Sequence, residues 1–286
     1  MTIRLLGLGD NTVDTYVDAA TQYPGGNAVN VAAMARRRGV ESSYLGAVGS
    51  DEAGALIEAA LADEGVDLSR LRRRDGPNAR ALIGHTDGDR RFLGSRAGVR
   101  AQIGLGPEDY GYVAQHALTH TSIYSEIDSA LPELRRAAPL LSFDFSERWT
   151  EPYLDRTLRF LDIAFLSAPG RSDSECEALL RSCTARGAGL AVVTRGEAGA
   201  VGFDGSALHR QGIVPATVVD TLGAGDGFIT AFLVSRLRGG DLPAALRAGA
   251  EFAAEVCGWH GGFGHGAPWS GEGREITGRA ATRADA

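Results

Sequence analysis

"VVDTLGAGDGFITAFL", residues 218–233, is the stretch on which the fold turns. Val218 and Val219 are β-branched and read as the end of a strand. Gly223, Ala224 and Gly225 follow as a turn without bulky side chains, and Phe228 to Leu237 supply an apolar helix closed by Gly239 and Gly240. Strand, glycine turn and helix in that order make a βα unit. Its turn aims several backbone N–H groups, and the positive end of the helix dipole, at one point that suits an anion. Asp226 stands directly behind that point. A tight strand-to-helix turn with an acid in the first helical turn looks the same and does no chemistry. Phosphoryl transfer to an alcohol, however, needs these parts: a carboxylate to orient the hydroxyl and take its proton, and donors for the charge developing on the phosphoryl oxygens. N–H donors beside Asp226 predict a carboxylate that stays ionised through neutral pH.

Outward from this unit, short apolar runs alternate with helical periodicity. Ile3–Leu8, Ser43–Val48, Leu140–Phe145, Ile163–Leu166 and Leu190–Val193 read as strands, and about 27–38 and 52–64 read as helices. The alternation predicts βαβ units around a mostly parallel sheet. "ARALIGHTDGDRRFLG", residues 79–94, departs from it: two extended runs flank Asp87-Gly88, the signature of an antiparallel hairpin. With residues 12–23 it would form a small sheet projecting from the body, placed to act as a lid. Residues 1–269 thus read as one α/β domain. Residues 270–286, "SGEGREITGRAATRADA", have little apolar content and read as a frayed tail.

With 286 residues and 44% apolar content the chain can bury a large core. A net charge of −7 argues against a nucleic-acid surface, which needs clustered cations, but leaves room for a small anion carried with Mg2+. All 29 basic residues are arginine. The absence of lysine removes Schiff-base chemistry, the Walker lysine and a Ser/Lys nucleophile pair. Cys176, Cys183 and Cys257 are odd in number and lack metal-ligand spacing, as suits thiols in a reducing compartment. The apolar run in "MTIRLLGLGDN" is too short for a signal peptide, and nowhere do eighteen uncharged apolar residues follow one another. A soluble, cytoplasmic protein with neither membrane nor nucleic-acid partners is expected.

"DTLGAGDGF", within the opening stretch, resembles the carboxy-terminal signature of the ribokinase-like (PfkB) carbohydrate kinases, and "GGNAVNVAAMARRRG", residues 25–39, resembles their amino-terminal one. The two lie about 200 residues apart in the family's order, which is far more specific than either alone. The likeness runs from "LGDNTVD" to "GWHGG". It implies a ribokinase-like three-layer αβα sandwich with a mostly parallel central sheet and a small β lid. It also implies ATP as phosphoryl donor, Mg2+, and a monovalent cation such as K+. "GDNTVDTY", "GGNAVNVA", "SFDFSERW" and "FLSAPG" resemble the fructosamine branch of that family, whose acceptors are sugar–amine adducts such as fructoselysine, phosphorylated at the 6-hydroxyl.

By the same likeness Asp226 is the base and Gly223, Ala224 and Gly225 line the anion hole. Asp14 matches the carboxylate that grips sugar hydroxyls, with Asp10 nearby as a second substrate-binding acid. An acid just past a strand's carboxyl end also lies where α/β sheets bind ligands. Gly25 and Gly26 would let a sugar approach the backbone. Asn27 and Asn30, at i and i+3, present amides from one helix face and suit hydroxyls; helix capping by Asn27 and a buried, satisfied amide at Asn30 is the alternative. Arg90 and Arg91 point opposite ways on a strand, and Arg90 is taken as the inward cation for the substrate's charged end. Asp144, with Ser146, is expected to organise phosphates or metal. Thr194, Arg195 and Gly196, in "VVTRGEAGA", resemble the strand-turn beside ATP. Asp220 matches a monovalent-cation or structural carboxylate, while His260 and Gly261 fall where the chain passes the adenine.

One departure stands out. Many members carry Asn-x-x-Glu near the metal, whereas this chain reads Ser167-Ala168-Pro169-Gly170. Mg2+ would then be held mainly by ATP phosphates and water, with Asp173 or Glu175 behind them. Rival readings are a Rossmann dehydrogenase, prompted by "LLGLGDN" but lacking the third glycine and the acidic partner, and a non-catalytic sugar-binding protein on the same fold. A pure binder has no use for Asp226. Kinases for ribose, fructose or a nucleoside are the remaining alternatives, and a homodimer through lid residues Ala81, Ile83 and Phe92 is a further expectation.

Overall fold

The computed structural model describes residues 3–86 and 89–271, the side chains at 85, 86, 89 and 90 excepted. Its elements run β1 (Arg4–Gly9), β2 (Thr12–Tyr16), β3 (Thr21–Gly25), α1 (Asn27–Arg37), β4 (Glu41–Gly49), α2 (Glu52–Asp63), β5 (Arg72–Arg74), β6 (Arg80–Thr86), β7 (Asp89–Arg96) and α3 (Pro107–Val113). They continue with β8 (Leu118–Ser122), α4 (Leu131–Ala137), β9 (Leu141–Asp144), α5 (Glu151–Thr157), β10 (Ile163–Ser167), α6 (Asp173–Ala185), β11 (Leu190–Thr194), β12 (Ala200–Phe203), β13 (Leu208–Gln211), α7 (Ala224–Leu237), α8 (Leu242–Val256) and β14 (Ala267–Pro268).

The central sheet has the order β13-β12-β11-β10-β9-β8-β1-β4-β5 and is parallel except where β12 and β13 close one edge. Its inner strands are near-continuous apolar runs, as expected where helices cover both faces. On one face α3, α4, α5 and α6 pack a core around Phe143, Phe145 and Leu180. The other face carries α1, α2, α7 and α8 over Leu5, Phe165, Phe232 and Phe252. Residues 227–234 of α7 are buried all round because that helix lies between α1, α8 and the sheet. The architecture is the three-layer αβα sandwich that the resemblance implies.

A second sheet, β14-β3-β2-β6-β7, stands over the carboxyl ends of the parallel strands. β6 and β7 pair antiparallel as the hairpin predicted, with the turn at 87–88 outside the described residues. β14 was not legible: the chain returns after α8, pairs with β3 and anchors Trp269, whose N–H donates to Ala20 O at 2.8 Å. The predicted tail, 270–286, lies outside the described residues beyond Gly271.

Two local expectations are corrected. Val218 and Val219 are not in a strand but in an irregular segment, with 62% and 48% of their surface exposed. Instead of pairing with a strand, the N–H groups of Val219 and Asp220 donate to Cys257 O at the end of α8, at 2.8 and 3.1 Å. β-Branched residues favour strands only where a pleated surface receives them. The helix also starts earlier than its apolar pattern, at Ala224, inside the glycine turn.

Candidate active site

A cleft of about 850 Å³ opens between the two sheets. Its floor takes a residue at or just past the carboxyl ends of successive parallel strands: Asp10 after β1, Asp144 at the end of β9, Ser167 from β10 and Thr194 from β11, with Asp226 from α7. Asp14 of β2 and Ile83 of β6 face it from the second sheet. Such a crevice is where open α/β sheets bind ligands.

Gly223 caps α7 in the left-handed conformation, φ 78°, and an added Cβ there would sit 2.6 Å from Gly262 Cα. Only glycine fits, for conformation and for space. Ala224 N–H turns back to Thr221 O, and the first helical bond is Gly227 N–H to Gly223 O at 2.8 Å. Among the described residues, no backbone carbonyl accepts from the N–H of Gly225 or Asp226. A Cβ on Gly225 would meet nothing within 4 Å, and both residues line the cleft. A helix start with unpaired N–H donors is one that can receive an anion.

Asp226 itself is gripped by the two asparagines. Asn27 Nδ2 donates to its Oδ1 at 2.8 Å and Asn30 Nδ2 to its Oδ2 at 2.5 Å. Asn27 Nδ2 also reaches Asp144 Oδ2 at 3.1 Å. The asparagines, read from sequence as hydroxyl binders, thus first orient the carboxylate. Behind Asn27 lies a residue that sequence reading missed. His120 is fully buried, and burial pushes its imidazole down to about 3, so it is neutral. Its Nε2 lies 2.8 Å from Asn27 Oδ1 and its Nδ1 3.0 Å from Ser142 Oγ. Because Asn27 turns its NH2 toward two carboxylates, its Oδ1 must accept, which makes His120 Nε2 the protonated nitrogen and Ser142 the donor to Nδ1. A polarised line therefore runs Ser142, His120, Asn27, Asp226. Asn30 Oδ1 is buried without a partner among the described residues.

Asp10, expected to bind substrate, lines the cleft and is also engaged within the protein. Its oxygens accept from Asn27 N–H at 2.7 Å, Ser122 Oγ at 2.7 Å and Ser125 Oγ at 3.1 Å. It caps α1 from outside because Gly26, the N-cap at φ 105°, has no side chain to do so. Asp14 lines the cleft, and Gly25 is needed beside it, since an added Cβ would lie 2.3 Å from Asp14 Oδ2.

The electrostatics overturn one expectation. Burial pushes Asp226 up to about 6, and the charge of Asp10 adds to this, while the amides of Asn30 and Asn27 oppose it. Asp144 is pushed up to about 7 by burial; the N–H of Ser146 opposes this, and the charges of Asp226 and Asp10 add to it. The amides of Asn30 and Asn27, rather than the N–H groups of α7, are what favour the charged form of Asp226, and desolvation outweighs them. Part of Asp226 remains open to the cleft, where solvent moderates the effect.

On the nucleotide side, Thr194 lines the cleft with its hydroxyl 3.2 Å from that of Ser167. Arg195 is not among the residues lining it: its guanidinium pairs with Asp173 at 2.5 Å and Ala198 O at 2.9 Å. Asp173 also meets Arg210 at 3.2 Å, and Glu175 closes a capping box on Ser172. Both acids expected behind Mg2+ are thus committed to protein partners. Gly196 sits at φ 60° with open space around it. Asp220 accepts from Tyr16 Oη at 2.6 Å, Leu222 N–H at 3.0 Å and Gly261 N–H at 3.1 Å, clasping the second sheet to the anion turn. His260 stacks on Tyr23, ring centroids 6.4 Å apart, and Gly261 packs beneath that tyrosine. The backbone of Arg90 pairs with His85, but its side chain lies outside the described residues. Among the described residues no group of three or more His, Cys, Asp or Glu is arranged to hold a metal ion.

Comparison with known proteins agrees with this geometry. Fructosamine kinase FrlD of Bacillus subtilis is 41% identical over 93% of this chain and 95% of that relative. Fructoselysine 6-kinase of Escherichia coli is 38% identical over 91% of this chain and 99% of the relative. Among solved structures, ribokinase of Arabidopsis thaliana complexed with ribose and ATP superposes with a TM-score of 0.82 at 22% identity, covering 92% of this chain and 95% of the other. Residues 2–133 and 163–265 match the family described as pfkB family carbohydrate kinase, and the chain belongs to that family.

Proposed function

We propose that the protein transfers the γ-phosphoryl group of ATP to the 6-hydroxyl of a fructosamine. The observation that carries this reading is the Asp226 carboxylate, held by Asn27 and Asn30 beside the free N–H groups at the start of α7. The acceptor oxygen attacks phosphorus as its proton passes to Asp226, the new O–P bond forms, and the bond to the ADP leaving oxygen breaks. The N–H groups of Gly225 and Asp226, with the helix dipole behind them, take up charge on the transferring oxygens. Asp14 lines the cleft as a carboxylate suited to sugar hydroxyls, and Asn30 Oδ1 is an acceptor without a partner among the described residues. Mg2+ would neutralise phosphate charge, with Asp144 as the protein carboxylate available to its water shell; K+ near Asp220 belongs to the same reading. The second sheet acts as a lid over one domain spanning 1–269, and a homodimer through that lid belongs to the same reading. The three cysteines are unpaired, as suits the cytoplasm.

Sugar specificity follows the relatives, two of which are named for fructosamine substrates at 38–41% identity. An ADP-release assay over fructosyl-lysine, fructose, ribose and a nucleoside tests it. kcat/KM for fructosyl-lysine is expected to exceed the others by about tenfold or more, about 1.4 kcal/mol of transition-state discrimination. A better rate on ribose, fructose or a nucleoside would reassign the acceptor.

A further inference from the structure

Among the described residues, Arg100 presents a guanidinium to the cleft without an adequate protein acceptor. It follows β7 in the chain and lines the cleft, with 19% of its side chain exposed. Among the described residues its Nε is buried without a hydrogen-bond partner, and its one ion pair is Nη2 to Glu126 Oε1 at 3.6 Å, too long for a hydrogen bond. A partly desolvated cation with unmet donors is costly unless a ligand supplies the acceptors. The neighbouring cleft arginines are placed otherwise. Arg80 donates to Thr15 Oγ1 and Gln22 Oε1, both at 2.7 Å, and Arg148 lies over the ring of Tyr124, 5.7 Å from its centroid.

The wall around Arg100 is held in unusual backbone. Glu126 and Ser146, neither of them glycine, adopt the left-handed region at φ 54° and 52°, and Tyr124 Oη donates to Ser146 Oγ at 2.9 Å. Strain of this kind persists where the surroundings fix it, often at ligand clamps. The cleft floor carries Asp10, Asp144 and Asp226, so a ligand's carboxylate is repelled there and drawn toward Arg100. Between floor and wall, Ile83 and Phe92 give apolar surface for a run of methylenes.

We propose that Arg100 binds the carboxylate of the amino-acid part of the acceptor, so that the site selects fructosamines formed on amino acids over those formed on simple amines. The proposal rests on the fructosamine reading and replaces Arg90 as the predicted fork. It is tested with two acceptors that differ only in that carboxylate: fructose joined to the ε-amine of lysine, and fructose joined to 1,5-diaminopentane. Wild-type kcat/KM should favour the lysine adduct by about tenfold or more, the scale of a charge-assisted bidentate contact. In Arg100→Gln the ratio should collapse toward one, and in Arg100→Lys, which keeps the charge but loses the fork, it should fall between. A wild-type ratio near one, or a ratio unchanged in Arg100→Gln, overturns the subsite and leaves the fructosamine reading standing. Phosphorylation of neither adduct by a wild-type enzyme active on a plain sugar overturns that reading and the subsite with it. The wild-type ratio needs no variant, so poor folding of one cannot obscure the answer.

Discussion

Asp226 is pulled two ways: burial and the charge of Asp10 disfavour its ionised form, while Asn27 and Asn30 donate to it. With the balance near 6, a base that must be ionised loses activity as pH falls through that value and is fully available above it. The kcat/KM profile of the free enzyme should therefore show an acid limb near pH 6. His120 enters the same measurement through Asn27. In His120→Phe the amide loses the partner that fixes its orientation, one donor to Asp226 is weakened, and the limb should move to higher pH. His120→Gln keeps an N–H on that side and should move it back. A profile identical in all three proteins would show that His120 only fills space.

Asp144 gives a second residue-level expectation. Its folded value of about 7 lies above the unfolded carboxylate value of about 3.9, so its ionisation penalises the fold. The native state is favoured at low pH, and that advantage is lost as pH rises through 7. Asp144→Asn should accordingly raise Tm at pH 8 more than at pH 5. An equal rise at both values would mean the gain has another source. None of this was legible in sequence. Asp226 and Asp144 were found there, but their protonation depends on partners over 80 residues away along the chain, such as Asn27. His120 had no signal beyond a polar residue inside the strand "LTHTS", whose buried face the sequence could not reveal.

At the scale of elements, periodicity located the helices and inner strands well because covered strands and amphipathic helices carry their burial in their pattern. It failed at Val218-Val219, where no strand edge receives the segment, and at β14, whose two residues pair with β3 from the far end of the chain. The second sheet is where motion is expected. It is tied to the body by contacts such as the Asp220 clasp on Tyr16, and its residues Ile83 and Phe92 line the cleft. Closure over bound acceptor and nucleotide would exclude water that competes for the phosphoryl group. Hydrogen exchange across 80–96 should slow when fructosyl-lysine and a non-hydrolysable ATP analogue are both present. Unchanged exchange would mean the sheet is no lid.

At the scale of the whole molecule, phosphoryl transfer was easier to read than acceptor choice. The anion turn and its carboxylate lie within one contiguous string, so local sequence carries them. The cleft residues Ile83, Phe92, Arg100, Tyr124 and Ser146, by contrast, are scattered along the chain and brought together only by folding. Sequence reading chose Arg90, whose side chain lies outside the described residues, while Arg100, named in the proposal above, carried no signal in its local sequence. The central claim, that Asp226 is the base of a phosphoryl transfer, is tested most directly by Asp226→Asn. This change keeps the shape and the start of α7 but removes the proton acceptor. With acceptor and ATP saturating, kcat should fall by at least about 10²-fold while both ligands still bind. A variant that keeps most of the wild-type kcat would contradict the account.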